Sequence, residues 1–192
     1  SFHEQVVRIL EEVGVAYNTP TLTALLADAG AVVDGERLTA KLPWELVERC
    51  LAQVPGEVLL AGRDPAYDCT VGGGRMLTVT DGTGTYMLDD LTGERHEGTR
   101  EDLQRLSTLF DALPEVDFVW PTVTPADVDQ RAGNLFNARI MLDHGRKHVC
   151  DEVRTPDQAP VFIEMLEAIA GAPLRERPVY SVTNCTIAPL QH

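Results

Sequence analysis

Apolar positions recur with two different periods along this chain. At the start, Phe2, Val6, Leu10 and Val13 stand three or four apart, the spacing that places side chains on one helix face. Ser1 and Glu4 have the separation of a capping box and Gly14 follows the last apolar position, so a helix is expected between them. Pro20 opens a second helix, its apolar face read as Leu22, Leu25, Leu26 and Ala29 and its stop as Gly30. In "AVVDGERLTA" the pair Asp34-Gly35 separates two short extended runs, a hairpin signal. Pro43 starts a third helix that is expected to carry Leu46, Cys50 and Leu51 inward.

From Val58 the period shortens. "EVLLAGRD", "GRMLTVTD" and "GTYMLDD" alternate or are rich in β-prone residues, with glycines between them, and predict a small, mostly antiparallel sheet. Thr99 and Asp102 have cap spacing for a helix with Leu103, Leu106, Phe110 and Leu113 on one face, ending near Pro114. Beyond Val116, short apolar runs alternate with helical spacing. "VDFVWPTVTP", "RKHVCDEV" and "RPVYSVTNCTIAP" read as strands. Helices separate them, one over roughly 126–144 and one opened by Thr155-Pro156 and stopped by Gly171, with Val161, Met165, Leu166 and Ile169 spaced for burial. Strand, helix, strand, helix, strand is the order of parallel βαβ units, and the fold class is α/β. There is no internal repeat.

Charge narrows the partners. With 16 basic and 30 acidic residues the formal net charge is -14, which argues against a nucleic-acid or anionic-membrane surface, since neutralising phosphates needs Lys and Arg. Cys50, Cys69, Cys150 and Cys185 lie far apart with no pairing pattern, so free thiols in a reducing cytoplasm are expected. No apolar run approaches the length of a membrane span, and the acidic, amphipathic "SFHEQVVRIL" is not a signal peptide.

The glycine-rich stretch "DCTVGGGRMLTVTDGTGTYMLDDLTGERHEGT" (residues 68–99) raises the question of a phosphate cradle. Such a loop needs glycines between a strand and a helix, so that backbone amides and the helix N-terminus face the anion. Here Gly72-Gly73-Gly74 is followed by Arg75 and the β-prone "MLTVT". Tight turns between strands account for these glycines; the functional alternative is a loop near a buried site, where absent side chains let a ligand or partner approach.

The order of "ILEEVGV", "LLADAGAVVDGERL", "LPWELVERCLAQVP", "LAGRDPAYDCTVGGGR", "YMLDDLTGERHEGTREDLQRLSTLFDALPEVDFV" and "SVTNCTIAPLQ" resembles the trimethylamine methyltransferase family along essentially the whole chain. The resemblance implies a (β/α)8 TIM barrel with an N-terminal helical and β extension. It also implies transfer of a methyl group from trimethylamine, or from a quaternary amine such as glycine betaine, to the cobalt of a corrinoid carried by a cognate partner protein. Family chains are more than twice as long. By this analogy residues 1–114 are the extension and 115–192 the first three strands and helices of a barrel that is incomplete in this chain. An open strand edge would be left, and a homo-oligomer, a partner or the missing half is expected to cover it. The alternative is a catalytically inactive N-terminal fragment that serves as a binding or assembly module. The family's pyrrolysine position falls beyond Gln191, so no catalytic residue is assigned.

Barrel enzymes place their chemistry at the carboxyl ends of strands. The resemblance therefore points to Thr122 and Thr124, to Cys150 and Asp151, and to Asn184 and Thr186, each of which could equally cap a loop. Trp120 and Tyr180 raise cation–π recognition of a quaternary ammonium, against ordinary core packing. Gly72, Gly73 and Gly74 are the candidate contact for the corrinoid. His144, His148 and Cys150 form H-x3-H-x-C, yet Gly145, Arg146 and Lys147 interrupt it at a helix end, and no metal is assigned. Asp89, Asp90 and Glu94 are expected to be solvated at a turn.

Overall fold

The computed structural model describes residues 1–192 apart from Asn184, Ile187 and His192. The chain is a mixed α/β protein with small sheets. It divides into two compact units, residues 1–55 with 184–192, and residues 56–183.

In the first unit, helix α1 (Phe2–Arg8) has the expected capping box from Ser1 and Glu4 and runs into a π turn at Ile9–Val13. Strands β1 (Val15–Ala16), β2 (Val32–Asp34) and β3 (Thr39–Lys41) form an antiparallel sheet with β3 central, and the β2–β3 hairpin turns where Asp34-Gly35 predicts. Asp34 holds that turn by accepting from the Glu36 and Arg37 amides. Helix α2 (Pro20–Ala29) is capped by the Thr19 hydroxyl and closed by Gly30 in the left-handed region.

Its inward face differs from the apolar stripe. Thr23 is buried and bonded to the Pro20 carbonyl, while Leu22, Leu25 and Ala29 are exposed and Leu26 is half-buried. A hydroxyl that satisfies its own helix can be buried at little cost, so polarity alone does not identify the solvent face. In α3 (Trp44–Leu51) Leu46 is buried, but Cys50 and Leu51 are exposed. Leu51 lies about 140° around the helix from Leu46, at 100° per residue.

The second unit begins with a two-stranded antiparallel ladder of β4 (Glu57–Leu60) and β5 (Cys69–Gly72). A second antiparallel pair, β6 (Tyr86–Leu88) and β7 (Arg95–Glu97), is a separate hairpin, not part of a common sheet. Asp89 turns it by accepting from the Leu91 and Thr92 amides and the Thr92 hydroxyl, which hold its carboxyl below the usual range; Asp89, Asp90 and Glu94 are all exposed.

The segment "GRMLTVTD" belongs to neither pair. Residues 78–84 run parallel to residues 118–124, through bridges of Val79 to Phe118 and Gly84 to Val123. Helix α4 (Arg100–Ala112) lies between these segments in sequence, so they form a strand–helix–strand unit with the β6–β7 hairpin inserted at its carboxyl end. Both halves of the Thr99–Asp102 capping box are present at α4.

The parallel order continues as expected. Val119 bridges Val149 in parallel, and β8 (Val149–Asp151) pairs in parallel with β9 (Tyr180–Val182). The array therefore runs 78–84, 118–124, β8, β9. Between its members lie α5 (Gly133–His144) and α6 (Ala159–Ala170). α5 starts seven residues later than its apolar spacing suggests, because Asp129 caps a separate 3-10 turn at Gln130–Ala132. α6 likewise follows a 3-10 turn at Pro156–Gln158, with no cap bond from the Thr155 side chain.

One core seals the array against its helices. Leu103, Leu142, Phe162 and Leu166 meet Val119, Val123 and Val149 there. Met165 and Ile169 pack at its margin, and Phe162 takes the central place expected of Val161, which is half exposed.

Candidate functional site

The site is built by strand alternation. In residues 118–124, Val119, Pro121 and Val123 are buried, whereas Phe118, Trp120, Thr122 and Thr124 are only partly covered. Since Val119 and Val123 belong to the helix-side core, the partly covered set occupies the opposite, open face. On β8, Val149 and Asp151 face the helices, and His148 and Cys150, both buried, lie on the opposite face. Side-chain bonds confirm the register across the array. His148 Nε2 meets Ser181 Oγ at 2.9 Å, Cys150 Sγ meets Thr183 Oγ1 at 3.0 Å, and the Phe118 and His148 rings meet edge to face with centroids 6.3 Å apart.

His148 is fully buried and its Nδ1 faces the carbonyls of Ala61 (3.2 Å) and Pro178 (3.1 Å). Two acceptors require Nδ1 to carry the proton, so Nε2 is the acceptor for the Ser181 hydroxyl. Burial pushes its pKa down to about 4, so the ring is neutral. His144 is exposed at the end of α5, so the two histidines do not share a helix face. Among the described residues no group of three or more His, Cys, Asp or Glu could hold a metal ion.

The carboxyl end of the array is hydroxyl-rich. Thr122 and Thr124 end the second segment, Thr183 follows β9, and a cleft of about 450 Å³ beside Thr124 is lined by Thr85, Tyr86, Glu97, Pro125, Ala126 and Gln130. The Arg95 guanidinium covers the Tyr86 ring at 4.3 Å. Asp151 also lies at this end but points to the helix layer. It is buried against Asn134 (Nδ2 to Oδ2, 3.4 Å), and burial raises its pKa. Tyr180 packs on Phe162 with ring centroids 5.5 Å apart and donates to the Glu152 carbonyl, so it stands on the helix side as well.

The array thus brings Trp120, Thr122, Thr124 and Cys150 onto one face, and adds His148, Ser181 and Thr183 to them. Thr186 is exposed in the 184–192 segment of the first unit, and Asn184 lies outside the described residues. Gly72, Gly73 and Gly74 all have positive φ; they end β5 and turn the chain, with Gly72 and Gly73 close to Glu57. Arg75 ties that turn to Asp117 at 2.7 Å, which is the amino end of residues 118–124, opposite Thr122 and Thr124.

The glycines at the carboxyl end are others. The Thr83 and Gly84 amides donate to the Pro121 and Thr122 carbonyls at 3.1 and 2.9 Å, and Thr124 donates to the Gly84 carbonyl at 2.8 Å. A Cβ at Gly98 would collide with Val123. The Gly82-Thr83-Gly84 run is the extended end of residues 78–84, and it was findable in the sequence because "MLTVT" precedes it and a capped helix follows.

The family model for trimethylamine methyltransferase (MTTB) matches residues 1–192. The chain belongs to that family. It is 30% identical over 193 residues to the trimethylamine methyltransferase MttB of Desulfitobacterium hafniense (strain DSM 10664 / DCB-2), covering 100% of this chain and 39% of that protein. It is 23% identical over 193 residues to the glycine betaine methyltransferase of Desulfitobacterium hafniense (strain Y51), covering 99% of this chain and 40% of that protein. The chain therefore spans about two fifths of the length of these relatives. No helix among the described residues is long and apolar enough to cross a membrane.

Proposed function

We propose that the protein moves a methyl group from a methylated amine, trimethylamine or a quaternary amine such as glycine betaine, to the cobalt of a corrinoid borne by a cognate partner protein. The parallel array would supply the first staves of a TIM barrel. The observation that carries this reading is the sorting of side chains on the array. Its helix side is closed by Val119, Val123 and Val149, while its open face presents an indole and neutral hydroxyls at the carboxyl ends of the strands. A methylated ammonium, with at most one N–H to donate, needs an aromatic surface and a fixed orientation more than a general base.

In this reading Trp120 forms a wall for the methylated nitrogen, and Thr122, Thr124 and Thr183 orient the rest of the substrate. The C–N bond of the quaternary or protonated ammonium breaks as the methyl carbon passes to the acceptor, and the neutral amine leaves with the bonding electron pair. The residues of the open face hold the methyl in line with its acceptor and exclude water from it. Gly72, Gly73 and Gly74, at the opposite end of the second segment, serve as turns and not as the corrinoid contact. Thr186 and Asn184 are held out of this proposal.

The test is methyl transfer by the whole purified protein to free cob(I)alamin, followed by the absorbance of methylcob(III)alamin, with trimethylamine, dimethylamine and glycine betaine in parallel. Turnover of a methylated amine with matching release of its demethylated product is expected. Inactivity toward all of them would defeat the proposal and favour the binding or assembly module.

A further inference from the structure

Residues 78–84 are the first member of the parallel array, and their glycine-rich carboxyl end pairs with residues 121–124 on the same rim as Thr122 and Thr124. Two chemically distinct groups meet there around one glycine. The Gly82 amide donates to Asp81 Oδ1 at 2.8 Å. On its other side Gly82 presses on Trp120, so closely that a Cβ would lie 2.7 Å from the indole Nε1 and 2.9 Å from Cδ1. The Trp120 backbone is pinned as well. The buried Thr80 hydroxyl donates to its carbonyl and accepts from its amide, both at 2.8 Å, in place of a backbone rung. Among the described residues Asp81 has no basic partner, whereas Asp102, Asp111 and Asp117 each pair with an arginine and the buried Asp151 is held by Asn134.

We propose that Asp81 and Trp120, held together by Gly82, form the recognition site for a methylated ammonium group. The carboxylate supplies the counter-charge, and the indole supplies the apolar, electron-rich surface that a nitrogen with at most one N–H to donate requires. Gly82 is the positioning residue, because any side chain there displaces the indole. The site rests on the reading of the protein as an amine methyltransferase and assigns substrate selection to a segment that precedes α4.

The protein has two tryptophans, so Trp44→Phe leaves Trp120 as the only indole reporter. In that background, titration with tetramethylammonium chloride is expected to give a saturable change in Trp120 emission that matched sodium chloride does not give. Asp81→Asn should weaken it about tenfold, roughly 1.4 kcal/mol, and Asp81→Glu should restore part of the loss. Asp81 is exposed, so these variants test recognition without disturbing the core. Gly82→Ala should shift the emission before any ligand is added. No saturable response, equal binding by Asp81→Asn, or equally tight binding of the neutral tert-butyl analogue 3,3-dimethyl-1-butanol overturns the site.

Methyl transfer by the whole protein separates this proposal from the broader one. A raised KM with unchanged kcat in Asp81→Asn supports the site. An unchanged KM in an active enzyme overturns the site and leaves the activity standing. An inactive wild type with Asp81-dependent tetramethylammonium binding defeats the activity and leaves the site.

Discussion

The two ends of the parallel array are made of different chemistry. At the amino end the charges are paired and fixed. Arg75 meets Asp117 at 2.7 Å, Arg146 grips Asp111 through two nitrogens at 2.7 and 2.8 Å, and Arg177 meets Asp68 at 2.7 Å. Lys147 is buried there with its ammonium on the Phe110 and Leu113 carbonyls, each at 2.6 Å, at the C-terminal end of α4. The carboxyl end of the open face has Thr122, Thr124 and Thr183 beside an indole and the glycine-rich end of residues 78–84. Groups that satisfy one another stabilise a fold and have nothing left for a ligand. Groups left with spare hydrogen-bonding capacity add little to stability and remain free to bind, which is the division of labour in barrel enzymes.

The largest expected effect comes from breaking the amino end. Lys147→Met keeps the apolar stem and deletes the donor for two carbonyls that complete α4. Leaving both without a partner is expected to cost about 3 kcal/mol, read as a lower urea midpoint with unchanged slope. The same variant should bind tetramethylammonium like the wild type. A stable variant with altered binding would erase the distinction between the ends.

Acid should act on His148 with similar force. Its folded pKa is depressed to about 4 from an ordinary 6.5, so the unfolded chain takes up a proton that the folded one refuses. Stability from this group is present above pH 6.5 and is lost as pH falls toward 4. The 2.5-unit gap corresponds to about 3 kcal/mol. Asp151 works against this trend, because burial raises its pKa and protonation relieves its charge. Urea unfolding of wild type and His148→Gln from pH 7 to 4 isolates the histidine: the variant should lose the steep part of the slope. Parallel slopes would mean that the imidazole is not buried as a neutral ring.

What could be read from residues alone was whatever is decided within a few positions. Ser1 with Glu4 and Thr99 with Asp102 carry both halves of their caps, and Asp34-Gly35 carries its own turn. The alternation of short strands with helices was legible for the same reason. Pairing between distant segments was not. "MLTVT" announces an extended run but not its partner, and the β6–β7 hairpin hides the βα unit by standing between strand and helix. The facing of "VDFVWPTV" was equally hidden, since both of its phases are apolar and only the packing of Val119 and Val123 on the helices decides it. The proposed joint site of Asp81 and Trp120 needed that register before it could be argued.

A smaller effect is expected from the cap of α4, which lies at the carboxyl end of the array but serves structure. Asp102 is buried, which alone would raise its pKa. The Thr99 hydroxyl and amide and the Arg105 guanidinium outweigh that and hold it below the usual range. Thr99→Ala removes the hydroxyl from both Asp102 contacts and should cost about 1 kcal/mol, seen as a modest fall in Tm. Since Asp102 is stabilised as the anion, its contribution disappears as pH falls below the ordinary carboxylate range, and the gap between wild type and Thr99→Ala should narrow there to what the bond from the Asp102 amide to the Thr99 hydroxyl contributes.

The smallest effect on stability, and the sharpest test of the comparison, belongs to Thr122→Val. The exchange preserves shape and removes one hydroxyl from the open face, while the Thr122 carbonyl keeps its bond from the Gly84 amide at 2.9 Å. A surface change of this kind is expected to move stability by less than about 0.5 kcal/mol. If the hydroxyl orients substrate, KM for the methylated amine rises several-fold while the urea midpoint stays where it was. Should the midpoint fall instead and KM hold, Thr122 is a structural residue, and the carboxyl end is built on the same terms as the amino end.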